Sequence, residues 1–126
     1  MNKFILISSF LIAIILISCK TPENIVVKTN NNKDSVFIAK KDSLSLIFES
    51  NPTTGYKWLL DTNLNTNKIE LLSNNYVEPN TNLVGAKGKQ VLIFKSKKKG
   101  IVNLKFFYAR HNSDTLKKKE IVIVIE

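Results

Sequence analysis

The stretch that decides the fold is Leu44–Trp58, "LSLIFESNPTTGYKW". In its first part apolar residues such as Leu46 and Phe48 occupy every second position, which is the period of a β-strand with one buried face. Pro52 then fixes one backbone angle, and Gly55 permits a sharp bend. The aromatic residues that follow resume the strand pattern. The stretch therefore predicts two strands joined by a short, stiff loop.

The same strand-like pattern recurs along the rest of the chain, separated by polar turns. No segment has the spacing of an amphipathic helix longer than a few turns. The expected strands cover residues 25–29, 35–39, 44–50, 56–60, 69–77, 90–95, 101–108 and 116–125. Short strands separated by turns predict an all-β fold, either an antiparallel sandwich or a barrel, of about seven or eight strands.

The N-terminus has the form of an export signal, with a basic start and the apolar run Phe4–Ile17. The residues Leu16–Cys19 resemble a bacterial lipobox, which implies cleavage before Cys19 and attachment of lipid to its thiol. We therefore expect a lipoprotein signal peptide at 1–18, and a lipidated N-terminus, tether and possible first strand at 19–34. An ordinary signal peptide and an N-terminal anchor helix remain alternatives. The expected location is the cell envelope, facing the periplasm or the exterior.

The chain is basic, with 19 Lys and Arg residues against 10 Asp and Glu residues and a formal charge of +9. Such a charge often indicates nucleic-acid binding. Here, however, Arg110 is the only arginine, and arginine is the usual reader of bases. The lysine runs at 97–99 and 117–119 are typical of solvated turns. We expect no nucleic-acid partner.

Catalytic chemistry lacks the residues that it needs. His111 is the only histidine and Cys19 the only cysteine, so the sequence offers no set of metal ligands at a workable spacing. Ser113 follows the histidine closely but has no nucleophile-elbow motif around it. The sequence predicts no enzyme, no metal and no cofactor.

Three loops carry the remaining information: residues 51–56, 83–88 and 108–114. Each follows an odd-numbered strand of the expected series. In an up-and-down course, loops after odd strands emerge at the same end, so the three are expected side by side. Taken singly, each also fits an ordinary turn.

Together the three loops resemble the chagasin family of cysteine peptidase inhibitors. "NPTTGYKW" (51–58) matches the family's first motif, and "LVGAKG" (83–88) is similar to the second. The third matches only at Tyr108 and Arg110, because His111 and Asn112 replace the family's Pro-Trp. The resemblance implies an immunoglobulin-like β-sandwich at 35–126. The peptidase-binding residues that it implies are Asn51, Pro52, Thr53, Thr54, Gly55, Tyr56, Gly85, Ala86, Lys87, Gly88, Arg110 and His111.

The resemblance also implies a mechanism, in which the stiff first loop enters the catalytic cleft of a papain-like peptidase and the other two loops grip its sides. The threonine hydroxyls are expected to be exposed and to offer hydrogen bonds. A monomer is expected, held to a membrane through lipid on Cys19. The alternatives are a non-inhibitory lipoprotein binding module with the same fold and a purely structural envelope lipoprotein.

Overall fold

The chain forms a two-layered β-sandwich, which we describe from a computed structural model for residues 21–28, 33–61, 67–111 and 114–126. The signal segment and Cys19 lie outside the described residues, as do Asn112 and Ser113. The strands are β1 (Asn24–Lys28), β2 (Lys33–Ile38), β3 (Ser43–Ser50), β4 (Lys57–Leu60), β5 (Ile69–Val77), β6 (Gly88–Ser96), β7 (Gly100–Arg110) and β8 (Asp114–Ile125). Within the described residues, no helix has the length and apolarity to span a membrane.

One sheet has the strand order β1-β3-β6-β5 and the other β2-β8-β7-β4. The sandwich prediction is confirmed, but the wholly antiparallel arrangement needs a correction, because β1 pairs with β3 and β2 with β8 in parallel. The reason is strand parity. The chain reverses after each strand, so two strands of equal parity run the same way, and these two pairs happen to be neighbours. The other neighbours have opposite parity and are antiparallel.

The core is formed by the alternating apolar residues of both sheets. Leu44, Leu46 and Phe48 of β3 are all buried, as the sequence pattern predicts. The Phe48 ring lies 4.9 Å from the Trp58 ring and 5.0 Å from the Phe106 ring, centroid to centroid. Edge and tilted contacts of this kind add to the free energy gained from burying the rings. Among the described residues, every buried core residue lies between Val36 and Ile125, so residues 20–126 contain this core.

A buried polar side chain also joins the two sheets. Gln90 of β6 accepts a hydrogen bond from the Trp58 backbone N (2.9 Å) and donates one to the Trp58 carbonyl (2.8 Å). Its amide nitrogen also donates to Asn74 Oδ1 at 2.9 Å. Buried polar groups are tolerated when they are paired in this way. Gln90 therefore fixes β4, and with it the loop that precedes β4, against the opposite sheet.

Candidate functional site

Three loops meet at the end of the sandwich where the odd strands finish. The first loop (residues 51–56) joins β3 to β4, the second loop (83–88) leads into β6, and the third loop (108–114) spans the end of β7 and the start of β8. The Asn51 side-chain amide donates to the Gly85 carbonyl at 3.4 Å. The Arg110 guanidinium donates to the Thr54 carbonyl at 2.6 Å. These two contacts agree with the side-by-side placement that strand parity predicts.

Asn51 organises the first loop. Its side-chain oxygen accepts from the Thr53 backbone N and the Thr53 hydroxyl, and its carbonyl accepts from the Thr54 hydroxyl at 2.7 Å. Its own backbone N donates to the Tyr108 hydroxyl at 3.2 Å. Both threonine side chains are exposed, as expected, but their hydroxyl protons are used inside the loop. Toward another molecule, these hydroxyls are therefore acceptors.

The first loop itself is a single 3₁₀ turn, Pro52–Thr54. Pro52 at the start of the turn leaves no backbone N–H unpaired there. Gly55 closes the turn with φ 80°, in the left-handed region that favours glycine, and its N donates to the Pro52 carbonyl at 2.9 Å. The predicted stiff loop is thus held by short-range bonds at both ends.

Arg110 lies across the first loop. Its Cζ is 4.7 Å from the centroid of the Tyr56 ring, within cation–π distance. A Cβ added at Gly55 would lie 3.1 Å from the Arg110 Nε, so the close approach of the two residues depends on glycine. The Arg110 side chain is therefore a brace for the first loop, with its remaining N–H groups exposed.

A break in the β7–β8 register explains why Arg110 points this way. Val102, Leu104 and Phe106 all face the core, and strict alternation would turn residue 110 inward as well. The pairing shifts between Tyr108 and Ala109, after which Ala109 is buried and Arg110 is exposed. Such irregularities commonly re-aim a side chain beside a binding surface.

Tyr56 is held from two sides. Its hydroxyl donates to Asp114 Oδ2 at 2.6 Å, and its ring stacks on Tyr108 with centroids 5.7 Å apart. The hydrogen bond to the Asp114 carboxylate raises the pKa of Tyr56, with smaller contributions from desolvation and from the charge of Asp114. Tyr56 therefore joins the first loop to the start of β8.

The second loop presents apolar side chains at its tip. Val84 is fully exposed (104%), and Leu83 is also exposed. The turn is closed by Ala86 N, which donates to the Leu83 carbonyl at 3.3 Å. Gly85 has φ 81° with open space around it. Exposed aliphatic pairs on a polar loop indicate a contact surface for another molecule.

The last two predicted residues of the second loop differ in exposure. Lys87 is exposed, and its amine lies 3.7 Å from the Glu49 carboxylate, a surface pair of little energetic weight. Gly88 is buried at the start of β6, where an added Cβ would collide with the Val77 carbonyl oxygen. We therefore assign Gly88 to strand packing and not to the exposed tip.

His111 is exposed and lines an open cleft of about 280 Å³ beside the first loop. Pro52, Gly55 and Tyr56 line the same cleft. Among the described residues, no three His, Cys, Asp or Glu side chains come together as a metal site would require.

The structure assigns contacts to four loop residues that the list of predicted binding residues did not include. Leu83 and Val84 form the exposed tip of the second loop, while Tyr108 and Asp114 hold the first loop from behind. The sequence already placed the aliphatic pair in the second loop, as part of "LVGAKG". The roles of Tyr108 and Asp114 depend on contacts across 57 and 58 residues of chain.

Comparison with known protein families gives one match. The model of the family described as "Chagasin family peptidase inhibitor I42" matches residues 38–125, which is well over half of the chain. No curated protein matches the sequence.

Solved structures with a similar fold include three of interest. The cysteine protease inhibitor EhICP2 from Entamoeba histolytica has a TM-score of 0.73 at 19% identity, over 84% of this chain and 98% of that one. PbICP-C, solved in complex with falcipain-2, has a TM-score of 0.59 at 17% identity, over 80% and 97%. Amebosin has a TM-score of 0.55 at 23% identity, over 83% and 99%. At these identities the likeness concerns the fold.

Proposed function

The chain belongs to the chagasin family of peptidase inhibitors, and we propose that it inhibits papain-like cysteine peptidases reversibly through the three-loop end of its sandwich. It is an inhibitor and not an enzyme. The observation that carries the proposal is the direct bonding of the first loop to the other two, through Asn51 to Gly85 and through Arg110 to Thr54. The similar structures of a cysteine protease inhibitor and of a complex with falcipain-2 support this class of target.

The first loop is the part that enters the catalytic cleft. Thr53 and Thr54 are exposed at its tip, and Gly55 lets the Arg110 side chain pack closely behind the turn. Their hydroxyl oxygens accept hydrogen bonds from the enzyme, because their protons are already donated to Asn51. A loop that is ordered before binding loses little conformational entropy when it binds.

The same hydrogen bonds explain how the loop blocks the peptidase without being cut. Cleavage requires an extended peptide whose carbonyl sits in attack geometry at the nucleophile. Here the carbonyls of Asn51, Pro52 and Thr54 accept bonds from within the protein. The 3₁₀ turn therefore fills the cleft without offering a suitably placed scissile bond.

The second loop contributes apolar contact beside the cleft. Leu83 and Val84 are the side chains available for it, with Gly85 and Ala86 allowing the backbone to approach closely. Desolvated apolar contacts of this type carry much of the binding energy at interfaces. Lys87 stands at the rim, where charge affects the association rate more than the affinity.

The third loop acts mainly through Arg110, which positions Thr54 and Tyr56. Since one of its N–H groups is committed to Thr54, the rest remain for a charge-assisted bond with the enzyme. His111 provides an exposed ring at the place of the family's Pro-Trp, and a smaller ring gives less contact area. The first and second loops therefore supply a larger share of the contact area.

Lipid on Cys19 would hold this inhibitor at the cell envelope, facing the periplasm or the exterior. The proposal is supported by the apolar run Phe4–Ile17 and by the lipobox-like residues up to Cys19. Two or more acyl chains give stable anchoring, where one gives only marginal binding. Labelled fatty acid should be incorporated by the wild-type protein and not by Cys19→Ser.

The inhibitory function is tested by titrating residues 20–126 into papain and following hydrolysis of a small substrate. We expect reversible, saturable inhibition. Thr53→Arg places a long, charged side chain at the exposed tip that enters the cleft and should weaken inhibition about tenfold, while Lys99→Ala at the other end of the sandwich leaves it unchanged. If wild type fails to inhibit at micromolar concentration, or if the two variants behave alike, insertion of the first loop into the cleft is wrong for this enzyme.

A further inference from the structure

We infer that the end of the sandwich opposite the three loops is a contact surface for an anionic lipid bilayer. This distal end consists of residues 21–23, the β2–β3 turn (residues 39–42) and the β6–β7 turn (residues 97–99), with Glu126 beside the β2–β3 turn. It brings together exposed lysines, exposed apolar side chains and the residues that lead into β1.

The three segments are drawn together by backbone hydrogen bonds. The pairs are Ser43 N to Glu23 O (2.9 Å), Lys40 N to Glu126 O (3.0 Å) and Ser96 N to Asp42 O (3.0 Å). The buried Asp42 carboxylate strengthens the assembly, since it accepts from the backbone N of Glu23 and of Ala39, both at 3.1 Å. The distal end is therefore a defined surface with fixed positions for its lysines.

Its charge is positive. The exposed lysines are Lys40, Lys41, Lys97, Lys98 and Lys99, and Lys97 is paired with Glu70 at 2.8 Å. The acidic side chains that face solvent there are Glu23 and Glu126, while Asp42 is buried and bonded. Among the described residues of this end, lysines without an ion pair thus outnumber exposed carboxylates, and clustered lysines are attracted to anionic headgroups.

Apolar side chains border the lysines on the outer face of the second sheet. Phe37 is 63% exposed and Ile101 is 62% exposed. Both pair with Val124 of β8, so they stand in one row across the sheet. Val124 comes one residue before Ile125, which forms the last strand pairs at the distal edge of the sheet. The row of apolar side chains is therefore close to the distal end.

The lysines and the exposed apolar side chains together indicate a bilayer more strongly than either feature does alone. Interfacial binding uses apolar side chains at the boundary of headgroups and acyl chains, together with cations for anionic lipid. The residues that lead into β1 lie on the same end, and the sequence before them includes the apolar run Phe4–Ile17. A bilayer held there would leave the three loops directed away from it and accessible to a peptidase.

The test uses residues 20–126, so that binding reflects the folded surface and not the N-terminal segment. The probes are vesicles of phosphatidylcholine with and without phosphatidylglycerol, at low salt, measured by co-sedimentation. We expect binding only to the anionic vesicles. Lys40→Gln/Lys98→Gln/Lys99→Gln should weaken it on the order of 100-fold, at about fivefold per lysine.

The matched control makes the same change of charge near the loop end, Lys57→Gln/Lys89→Gln/Lys117→Gln. This control variant should lower binding to the anionic vesicles far less than the distal triple variant does. In a separate variant, Phe37→Trp, the fluorescence emission of the introduced tryptophan should shift to shorter wavelength when anionic vesicles are added, and only then. Equal losses in the two triple variants, no emission shift, or no binding by wild type would each overturn the proposal.

Inhibition of papain in the absence of vesicles separates this proposal from the inhibitory function. The distal triple variant should inhibit as wild type does, because none of its lysines lies near the three loops. Loss of vesicle binding with inhibition retained supports the distal surface. Loss of both, with a lowered unfolding midpoint, would show damage to the fold and contradict the assignment of these lysines to a surface role.

Discussion

Gly55 and Gly85 provide a matched pair for measuring how the first loop is braced. Both glycines have nearly the same positive φ, 80° and 81°. They differ in surroundings, because a Cβ at Gly55 would lie 3.1 Å from the Arg110 Nε while a Cβ at Gly85 would meet nothing within 4 Å. Replacing each with alanine therefore imposes the same backbone penalty but a different steric one.

The backbone penalty for a residue with a Cβ in the left-handed region is about 1–2 kcal/mol. For Gly85→Ala we expect a loss of about 1 kcal/mol in the free energy of unfolding. Gly55→Ala must in addition move Arg110 and weaken its bond to the Thr54 carbonyl, now 2.6 Å long. A net hydrogen bond contributes about 1 kcal/mol, so the expected total is about 2 kcal/mol.

The assay is urea unfolding of residues 20–126, followed by Trp58 fluorescence, with the two variants beside wild type. Adding Arg110→Ala to each variant then completes the comparison. Without the arginine side chain, Gly55→Ala should be no more destabilising than Gly85→Ala. Equal losses in the presence of Arg110, or a difference that survives its removal, would refute the bracing argument.

Three further predictions concern other parts of the site. The hydrogen bond to Asp114 raises the pKa of Tyr56, so the folded state holds this proton more tightly than the unfolded chain does. The stabilisation that this proton gives to the folded state is complete below the ordinary tyrosine pKa of about 10. It is lost as the pH rises through the pKa of Tyr56 in the folded state. An ultraviolet titration of wild type should show a tyrosine that ionises late, and Tyr56→Phe should remove that signal. Gln90→Leu leaves the Trp58 N–H and carbonyl without their buried partner, and should lower the free energy of unfolding by about 2–4 kcal/mol in urea. Val84→Ser should change stability by less than about 0.5 kcal/mol yet raise the inhibition constant severalfold.

The strands were predictable because their burial follows a simple period. The expected limits 90–95 and 101–108 became Gly88–Ser96 and Gly100–Arg110, longer at both ends. Strand ends are set by partners across the sheet, as where Arg110 pairs with Asp114, and such pairing is not written in local sequence. The possible first strand is present at Asn24–Lys28 for the same reason, since it gains a partner in β3.

The contacts within the site were less predictable. "NPTTG" indicates a stiff turn, but not that Asn51 captures both threonine hydroxyl protons. Nor does the sequence reveal the register shift that turns Arg110 onto the first loop. The alternation of buried residues along β7 is regular before the shift, so the pattern does not signal it. Gln90 is the clearest case, since a glutamine within an apolar strand gives no sign of which backbone groups it will satisfy.

The bond between Asn51 and Pro52 has a consequence for chemical ageing. Asparagine commonly deamidates when the backbone nitrogen of the next residue attacks its side-chain amide and forms a cyclic imide. Proline has no N–H on that nitrogen, so this route is closed at Asn51. Its side-chain amide is also engaged on both sides, by Thr53 and by Gly85. Asn51, on which the first loop depends, is therefore the asparagine of this chain whose following residue best protects it from deamidation.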